Sequence, residues 1–400
     1  MSLLLHNGRV VLPDRIMERG AVLLDRGLIK GVGQLDQVAD LIDPGLPASL
    51  QEIDCRGKLI CPGFVDLHIH GGAGADVMDG TPQALETIAR HCASQGTTGF
   101  LATTLTAPAG DLERILSVVH QWVRSLPGES GARLLGVHLE GPFLSAAFKG
   151  AQNGRWLRDP DLAELQRYLE SFPGITKLVT IAPELPGAFA AISFLRGRGV
   201  AVSAGHSAAT YRQVEEALGL GLTHITHTFN GMSGFHHRQP GVAAAALALD
   251  RLNTEIIADG VHVDPDIVAF LIRVKGPERV LLVTDSISAT GLPDGRYQLG
   301  GLEIRVQGKE ARLAAGNLAG STLTMNVALR HVLKWTGLSL PEAVGLASRN
   351  PARVLGLEGR KGSLEPGKDA DVTVLDDDFQ VALTVVGGRL LFSAESPSRG

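Results

Sequence analysis

The chain has 400 residues and a formal net charge of −5 at pH 7, and 44% of its residues are hydrophobic, 20% charged and 4% aromatic. This length fits one large domain with a smaller one better than a single small core. The acidic balance disfavours nucleic-acid binding and a basic membrane-surface helix, because both need clustered positive charge.

The cysteines and the start of the chain bear on the cellular compartment. Cys55, Cys61 and Cys92 are an odd and sparse set that does not predict a disulfide framework. The first residues lack the charged start and the small-residue cleavage site of a signal peptide. No apolar stretch approaches the ~20 residues needed to span a bilayer. We therefore expect a cytoplasmic protein without a membrane segment.

Short strand-like runs fill the beginning of the chain. The stretch LLLHNGRVVL places Asn7 and Gly8 between apolar runs, which predicts a hairpin turn, and residues 25–27 mark a second turn. The end of the chain has the same character, with strand runs divided by Pro-Gly and Gly-Gly pairs. Because both ends are β-rich and the centre is not, the sequence predicts a small β-sandwich domain built from residues 1–62 and 351–400.

The centre of the chain alternates apolar runs with helical patterns. Helices are predicted where a capping residue and a proline begin an amphipathic stretch that glycine ends, as in TPQALETIARHCASQG and DPDLAELQRYLESFPG. Eight strand-then-helix units over about 280 residues predict an α/β (β/α)8 TIM barrel over residues 63–350. The predicted strands are residues 64–70, 99–104, 134–140, 177–183, 200–206, 223–229, 255–259 and 280–285.

Histidines and carboxylates gather at the ends of these predicted strands. In a barrel enzyme the active site lies at the carboxyl ends of the strands, so residues far apart in sequence meet there. Side chains alternate along a strand, so His68 and His70 point to the same side. Imidazole nitrogens and carboxylate oxygens suit Zn²⁺ and similar divalent ions, and the set is large enough for two. The predicted metal ligands are His68, His70, Glu140, His206, His227 and Asp285.

Each of these residues also has an ordinary explanation when it is considered alone. A single His-x-His pair at a strand end is more often structural than a metal ligand. His206 alone fits a neighbour of a helix cap, and Asp285 alone fits a turn. The coincidence of six metal-competent residues at five strand ends outweighs these explanations. The remaining histidine patterns predict ordinary surface or packing roles for His6, His91, His120 and His331.

The chain resembles the N-acetylglucosamine-6-phosphate deacetylases of the amidohydrolase superfamily. The matching motifs are PGFVDLHIHG, VHLEGPFL, SAGHS, THTFNGM, ADGVHVD, VTDSISATGLPDGRY and LAGSTLTM. The tail ASRNPARVLGLEGRKGSLEPGKDADVTVLD resembles the return of that superfamily to its β-sandwich. A His-x-His pair with a later aspartate is shared across the superfamily, whereas HLEGPF, THTFNGM and LAGSTLTM are more specific to the deacetylases.

The resemblance implies a role for each predicted ligand. Glu140 corresponds to the acidic metal ligand, with His206 and His227 as its partners, and it bridges when two ions are bound. The paired histidines of the first strand correspond to ligands of a second ion. Asp285 corresponds to the catalytic carboxylate, which also contacts the metal. The resemblance therefore implies one or two divalent ions of the Zn, Fe, Mn or Co class in each subunit.

The resemblance also implies a set of contacts to a sugar phosphate. These residues are Asn230, Gly231, Arg238, His262, Gln152, Leu318 and Ala319. Arg238 matches an arginine that binds the phosphate, often across a dimer interface, so a homodimer is expected. Leu318 and Ala319 match the loop beside the acetyl group. The chain departs from the family pattern at Gln152, where histidine is common, and at Gln239, where glutamate is common, so a sugar-hydroxyl contact and the substrate preference stay open.

The implied activity is metal-dependent hydrolysis of the N-acetyl group of N-acetylglucosamine 6-phosphate, which gives glucosamine 6-phosphate and acetate. A metal-activated water is the expected nucleophile, and Asp285 acts as general base and then as general acid. Deacetylation of another amino-sugar phosphate, such as the galactosamine epimer, and amide hydrolysis by a different amidohydrolase are the alternatives. Cyclic-amide hydrolases use a carboxylated lysine at the end of strand four, whereas Lys177 lies at the start of that strand. A non-catalytic scaffold would lack ligands or Asp285, and all are present.

Overall fold

A computed structural model describes residues 2–42, 50–125 and 130–394 of the chain. The strands are β1 (Ser2–Val11), β2 (Ile16–Asp25), β3 (Leu28–Gln34), β4 (Leu50–Asp54), β5 (Leu59–Pro62), β6 (Phe64–Ile69), β7 (Gly71–Gly72), β8 (Ala75–Asp76), β9 (Thr97–Thr103), β10 (Arg133–Glu140), β11 (Thr176–Ile181), β12 (Ala201–Ala204), β13 (His224–Ile225), β14 (Asn253–Ile256), β15 (Val280–Leu282), β16 (Gly295–Leu299), β17 (Leu302–Gln307), β18 (Glu310–Leu313), β19 (Val372–Leu375), β20 (Val381–Val386) and β21 (Arg389–Ser393).

The helices are α1 (Leu35–Ala39), α2 (Pro82–Ser94), α3 (Ala109–Ser125), α4 (Leu162–Ser171), α5 (Ala188–Gly197), α6 (Tyr211–Leu220), α7 (Val242–Ala248), α8 (Pro265–Lys275), α9 (Met325–Trp335), α10 (Leu340–Ala347) and α11 (Arg349–Val354). Helices α2 to α8 lie between the central strands, α1 lies between β3 and β4, and α9 to α11 follow β18. Among the residues described, no helix is both long and apolar enough to cross a membrane.

Eight parallel strands form a barrel in the predicted order. Each strand pairs with its neighbour along the series β6, β9, β10, β11, β12, β13, β14 and β15. The two ends of this series meet where the backbone N–H of Asp285 donates to the His68 carbonyl at 2.8 Å and that of His70 donates to the Ser286 carbonyl at 2.9 Å. The predicted (β/α)8 barrel is therefore confirmed, and the carboxyl ends of its strands share one face.

The barrel helices begin as their sequence predicts. The Thr81 hydroxyl accepts the N–H of Ala84 at the start of α2, and Pro82 occupies the first turn. The Asp161 carboxylate accepts an N–H at the start of α4. Such caps satisfy backbone donors that a helix start leaves free and stabilise it by about 0.5–2 kcal/mol each. The capped helices bury their apolar faces against the barrel strands.

A second sheet joins the two ends of the chain, as predicted. Its strands run in the order β21, β20, β19, β5, β1, β2 and β3, with β4 also paired to β1. The step from β5 to β19 joins the N-terminal and C-terminal segments through an antiparallel ladder. A separate cluster of aliphatic side chains, which includes Leu5, Val22, Ile60 and Val374, fills the interior of this sheet.

The predicted hairpin at Asn7 and Gly8 is wrong. Strand β1 continues through both residues, and its register with β2 shifts on either side of Gly8. Asn7 has φ of 56°, so the Asn-Gly pair produces a bulge within one strand rather than a reversal of the chain. A turn does occur at residues 26–27, between β2 and β3, where the second one was predicted.

A three-stranded antiparallel sheet of β16, β17 and β18 follows the last barrel strand and was not predicted. It packs against the barrel through an apolar cluster that contains Leu105, Ile287 and Ile304. The residues that come directly after β18 lie beside the carboxyl face of the barrel, where they line the pocket described below.

Candidate metal centre and active-site pocket

The six predicted ligands meet at the carboxyl face of the barrel. They form two groups, and in each group one ligand atom per residue lies within 4.8 Å of the others. All six residues are buried. We call His68, His70 and Asp285 the first triad and Glu140, His206 and His227 the second triad.

In the first triad, His68 and His70 lie at the end of β6, and Asp285 lies where the last barrel strand meets the first. Nε2 of His70 lies 3.2 Å from Oδ1 of Asp285, and Nε2 of His68 lies 3.5 Å from the same oxygen. Nδ1 of His70 contacts the carbonyl oxygen of Thr103 at 3.2 Å. A carbonyl only accepts, so His70 carries its proton on Nδ1 and its Nε2 lone pair is free for an ion.

The second triad centres on Glu140 at the end of β10. Its Oε1 atom lies 3.2 Å from Nε2 of His206 and 3.1 Å from Nε2 of His227. Glu140 also reaches the first triad, because Oε1 lies 3.4 Å from Nε2 of His68 and Oε2 lies 3.3 Å from Nε2 of His70. A single carboxylate thus contacts all four histidines, as a bridging ligand does.

Three of the ligands have a backbone conformation that L-residues rarely adopt. The φ angles are 47° at His206, 28° at His227 and 50° at Asp285. Such strain costs about 1–3 kcal/mol per residue and is characteristic of functional sites. Gly231 leaves room for this arrangement, since a Cβ atom there would lie 2.9 Å from Nδ1 of His206.

Electrostatics within the cluster favour a bound cation. Burial by itself would raise the pKa of Asp285, but the charge of His68 and the hydrogen bond from His70 lower it to about 2. Burial opposes protonation of His70, but its hydrogen bonds with Asp285 and Glu140 raise the pKa of the imidazole to about 9. Extra protonation of His70 offsets part of this carboxylate charge in the metal-free protein, and a bound metal ion would replace that proton.

The donor set fits a divalent metal ion. In the described part of the chain, Glu140, Glu255 and Asp285 have only histidines as ion-pair partners. Buried charge without a lysine or arginine partner is costly unless a cation compensates it. Nε2 of His68 is buried and has no hydrogen-bond partner among these residues, although it faces two carboxylates. Imidazole and carboxylate together suit zinc and related ions.

Two buried carboxylates that support histidines of the site were not identified from the sequence. Glu255, on β14, is fully buried, and its Oε2 atom lies 3.2 Å from Nδ1 of His68. Asp259 accepts from Nδ1 of His262 at 2.7 Å and from the backbone N–H of His262 at 2.8 Å. The sequence signal for both is that acidic residues stand at the two ends of the apolar run EIIAD. A charged residue is unusual in a strand that is buried on both faces.

A pocket of about 300 Å³ opens above the cluster. Both triads contribute to its walls through His70, Glu140, His206, His227 and Asp285. The predicted substrate residues that line it are Asn230, Gly231, His262, Gln152 and Leu318. Its volume lies at the lower end of the range for small-ligand sites, which is about 300–1,000 Å³.

Gln152 is tied to the second triad. Its side-chain N–H donates to Oε2 of Glu140 at 2.8 Å, and its carbonyl oxygen accepts from the backbone N–H of Thr106 at 2.8 Å. The side chain is 3% exposed. The side-chain amide therefore orients Glu140, although it also lies in the pocket wall.

Two predicted substrate residues lie away from this pocket wall. The Ala319 side chain is buried in the apolar cluster beneath β16 to β18, and its backbone N–H donates to the Ala311 carbonyl. Arg238 is exposed on a loop, where it contacts Nε2 of His237 at 2.8 Å. Phe235 on the same loop is 72% exposed.

The fold and the two triads define a metal-dependent hydrolase built on a TIM barrel. A family model described as "Amidohydrolase family" matches residues 59–391. The chain therefore belongs to the amidohydrolase family, and it is a hydrolytic enzyme.

Within this family, the chain is similar to amino-sugar-phosphate deacetylases. It is 38% identical over 392 residues to N-acetylglucosamine-6-phosphate deacetylase of Bacillus subtilis (strain 168), with 98% of this chain and 97% of that protein covered. It is 41% identical over 377 residues to N-acetylgalactosamine-6-phosphate deacetylase of Escherichia coli O157:H7, with 92% and 98% covered. Among solved structures, a variant of the Mycobacterium smegmatis deacetylase in complex with N-acetyl-D-glucosamine-6-phosphate matches with a TM-score of 0.88 and 35% identity, covering 98% of this chain and 99% of that chain.

The geometry agrees with the argument against a cyclic-amide hydrolase. Lys177 is the second residue of β11, the fourth barrel strand, and therefore lies near the end opposite the metal ligands. Glu140, on the third barrel strand, is the carboxylate that contacts histidines of both triads.

Proposed function

We propose that this enzyme removes the acetyl group from N-acetylglucosamine 6-phosphate and releases glucosamine 6-phosphate and acetate. The observation that carries the proposal is the position of Asp285. This carboxylate lies in the wall of the pocket, and its Oδ1 atom lies 3.2 Å from Nε2 of His70 within the buried first triad. The similarity to deacetylases over nearly the whole chain supplies the substrate class.

Asp285 is suited to move a proton. Its carboxylate lies in the pocket wall, where it accepts a proton from an attacking water molecule. The same carboxyl group then donates that proton to the amine nitrogen as the amide C–N bond breaks. The two triads would hold a divalent ion, and such an ion would lower the pKa of a bound water and polarise the acetyl carbonyl. We propose one or two ions of the Zn, Fe, Mn or Co class in each subunit.

We propose that His262, which lies between β14 and α8 and lines the pocket, orients the substrate. Asp259 accepts the proton on Nδ1 of His262, which fixes the tautomer and leaves Nε2 for the pocket. Asn230 and the backbone of Gly231 line the same wall, and we propose that they bind the sugar phosphate. Leu318 lines the wall as well, and we propose that it and the backbone of Ala319 border the acetyl group.

We propose that Arg238 binds the phosphate of a substrate held by the second subunit of a homodimer. A guanidinium group suits bidentate contact with phosphate. Arg238 is exposed and lies outside the pocket wall of its own chain, beside the exposed Phe235. Exposed aromatic residues are typical of protein interfaces, which supports a partner at this loop.

The division into a barrel of residues 63–350 and a β domain of residues 1–62 and 351–400 also remains a proposal. The first boundary falls between β5 and β6, whereas the second falls within α11. We further propose a cytoplasmic location, since Cys55, Cys61 and Cys92 are buried and unpaired.

A direct assay tests the function. Protein stripped with a chelator and reloaded with Zn²⁺, Mn²⁺, Co²⁺ or Fe²⁺ should release acetate from N-acetylglucosamine 6-phosphate. N-acetylglucosamine without the phosphate should be a much poorer substrate, because it lacks the partner of Arg238. No acetate release with any of these metals would refute the proposal.

The galactosamine epimer is the informative second substrate. We expect a higher kcat/KM for N-acetylglucosamine 6-phosphate than for N-acetylgalactosamine 6-phosphate. The reverse order would show that N-acetylgalactosamine 6-phosphate is the preferred substrate, which is the compound in the name of the Escherichia coli relative.

A further inference from the structure

Glu255 is a buried carboxylate that the proposed reaction does not use. It lies on β14 with no exposed surface, behind His68 as seen from the pocket. Its Oε2 atom faces Nδ1 of His68 at 3.2 Å and accepts the backbone N–H of His227 at 3.2 Å. Its Oε1 atom has no hydrogen-bond partner in the described residues. Such a group is costly to bury, so its position calls for a physical explanation.

The contact with His68 determines which nitrogen is available to an ion. An ionised carboxylate only accepts, so Nδ1 of His68 carries the proton. The lone pair then resides on Nε2, the atom nearest to Glu140 and Asp285. The His68 ring is also packed edge-on against the His138 ring, with centroids 4.7 Å apart, which limits its rotation.

His68 differs in this respect from the other three ligand histidines. Nδ1 of His70 faces the Thr103 carbonyl, and Nδ1 of His206 faces the Phe148 carbonyl at 2.8 Å. Nδ1 of His227 has no hydrogen-bond partner among the residues described. In the described ranges of the chain, His68 is the one ligand histidine whose Nδ1 atom faces a charged partner, so Glu255 adds negative charge on the side of the first triad.

We propose that Glu255 is a positioning residue that makes the first triad a high-affinity metal site, so that the enzyme binds a second ion there. The inference rests on the proposed function only for the presence of a metal in the cluster. Glu255 acts through His68, whose tautomer it fixes and whose basicity it increases, as outer carboxylates do at other metal-bound histidines.

The test is a Zn²⁺ titration of the chelator-stripped full-length protein by calorimetry, with bound metal counted after gel filtration. We expect two sites in the unmodified protein. Glu255→Leu should weaken the site that contains His68 by about 10–100-fold, with the other site changed by less than about 3-fold. Glu255→Gln should have a smaller effect, because the amide oxygen still accepts from His68 while the negative charge is lost.

A matched control separates this role from the general cost of altering a buried glutamate. Glu164 is 6% exposed, and its side-chain partners, Arg158 and Tyr168, belong to neither triad. Glu164→Gln should lower the melting temperature and leave both Zn²⁺ affinities unchanged. If Glu255→Leu does not fold, Glu255→Gln is compared with the unmodified protein instead. The d–d absorption spectrum of bound Co²⁺ then reports whether the metal site that contains His68 has changed.

Three outcomes would overturn the inference. They are a single ion in the unmodified protein, unchanged affinity in both Glu255 variants, and an equal loss at both sites, which would mean that Glu255 only secures the backbone of His227. None of these readouts depends on acetate release. An active enzyme with one ion would therefore contradict the inference and leave the proposed function intact.

Discussion

The two triads have similar ligand chemistry but differ in what surrounds them. The first triad has the Glu255 carboxylate behind one of its histidines. The second triad is supported by the neutral Phe148 carbonyl and by Gln152, which donates to Glu140. Outer charge therefore favours a cation at the first triad, while the second triad depends on the charge of its own carboxylate.

The triads also differ in how they are connected. Glu140 belongs to the second triad, yet it lies within 3.4 Å of both histidines of the first. Among the described residues, no ligand of the first triad has an ion pair with His206 or His227. The consequence is an asymmetry, since a defect at Glu140 should disturb both ions and a defect at His70 should disturb one.

The largest expected effect comes from Asp285, for which we propose both proton transfer and metal contact. Asp285→Asn removes the proton acceptor and should lower kcat by about 10²–10⁴-fold, the usual contribution of a general base or acid. Steady-state acetate release measures the effect, with metal content determined in parallel. A variant that retains bound metal and normal kcat would show that Asp285 does not transfer the proton.

The asymmetry between the triads predicts a difference between two further variants. Glu140→Gln should reduce the affinity for both ions, whereas His70→Asn should reduce the affinity for one ion. Each affected affinity should fall by at least ~10–100-fold, which is the usual effect of losing an outer partner of a metal ligand. Elemental analysis of the purified variants provides the count of bound ions. If the two variants lose the same amount of metal, Glu140 does not bridge the triads.

The smallest expected effect concerns a buried histidine outside both triads. Burial lowers the pKa of His224 to about 4, and its Nδ1 atom contacts the Thr223 hydroxyl at 2.7 Å. The unfolded chain, with a histidine pKa near 6.5, binds more protons than the folded protein between about pH 6.5 and pH 4. The free energy of unfolding should therefore fall as the pH is lowered through this window, by no more than about 3 kcal/mol from this residue.

Denaturant unfolding of the metal-free protein between pH 4 and pH 7.5 checks this prediction. His224→Gln removes the titrating group, so its stability should decline less steeply than that of the unmodified protein over the same range. Identical slopes would mean that His224 does not remain neutral in the folded state. The result would also sharpen the contrast with His70, whose carboxylate neighbours raise its pKa to about 9.

The barrel and its ligands could be predicted because they depend on regular geometry. Alternating apolar runs and capped helices predict parallel strands, and parallel strands bring their carboxyl ends to one face. That rule alone brought together His68, Glu140 and Asp285 across more than half of the chain. In the structure, an oxygen of Glu140 and an oxygen of Asp285 each lie within 3.5 Å of Nε2 of His68. The hairpin prediction at Asn7 failed because an Asn-Gly pair suits a bulge as well as a turn.

The sequence by itself determined the barrel, the terminal β-sheet and the six side chains proposed as metal ligands, since all of these follow from local periodicity and strand ends. Only the tertiary structure decided the outer partners. Glu255 appears in the sequence as one charged residue in an apolar strand, and its contact with His68 joins positions 187 residues apart. Hydrogen bonds of this kind depend on the register and rotation of neighbouring strands, which strand periodicity does not specify. The same limit applies to Gln152, whose bond to Glu140 depends on the path of the loop after β10.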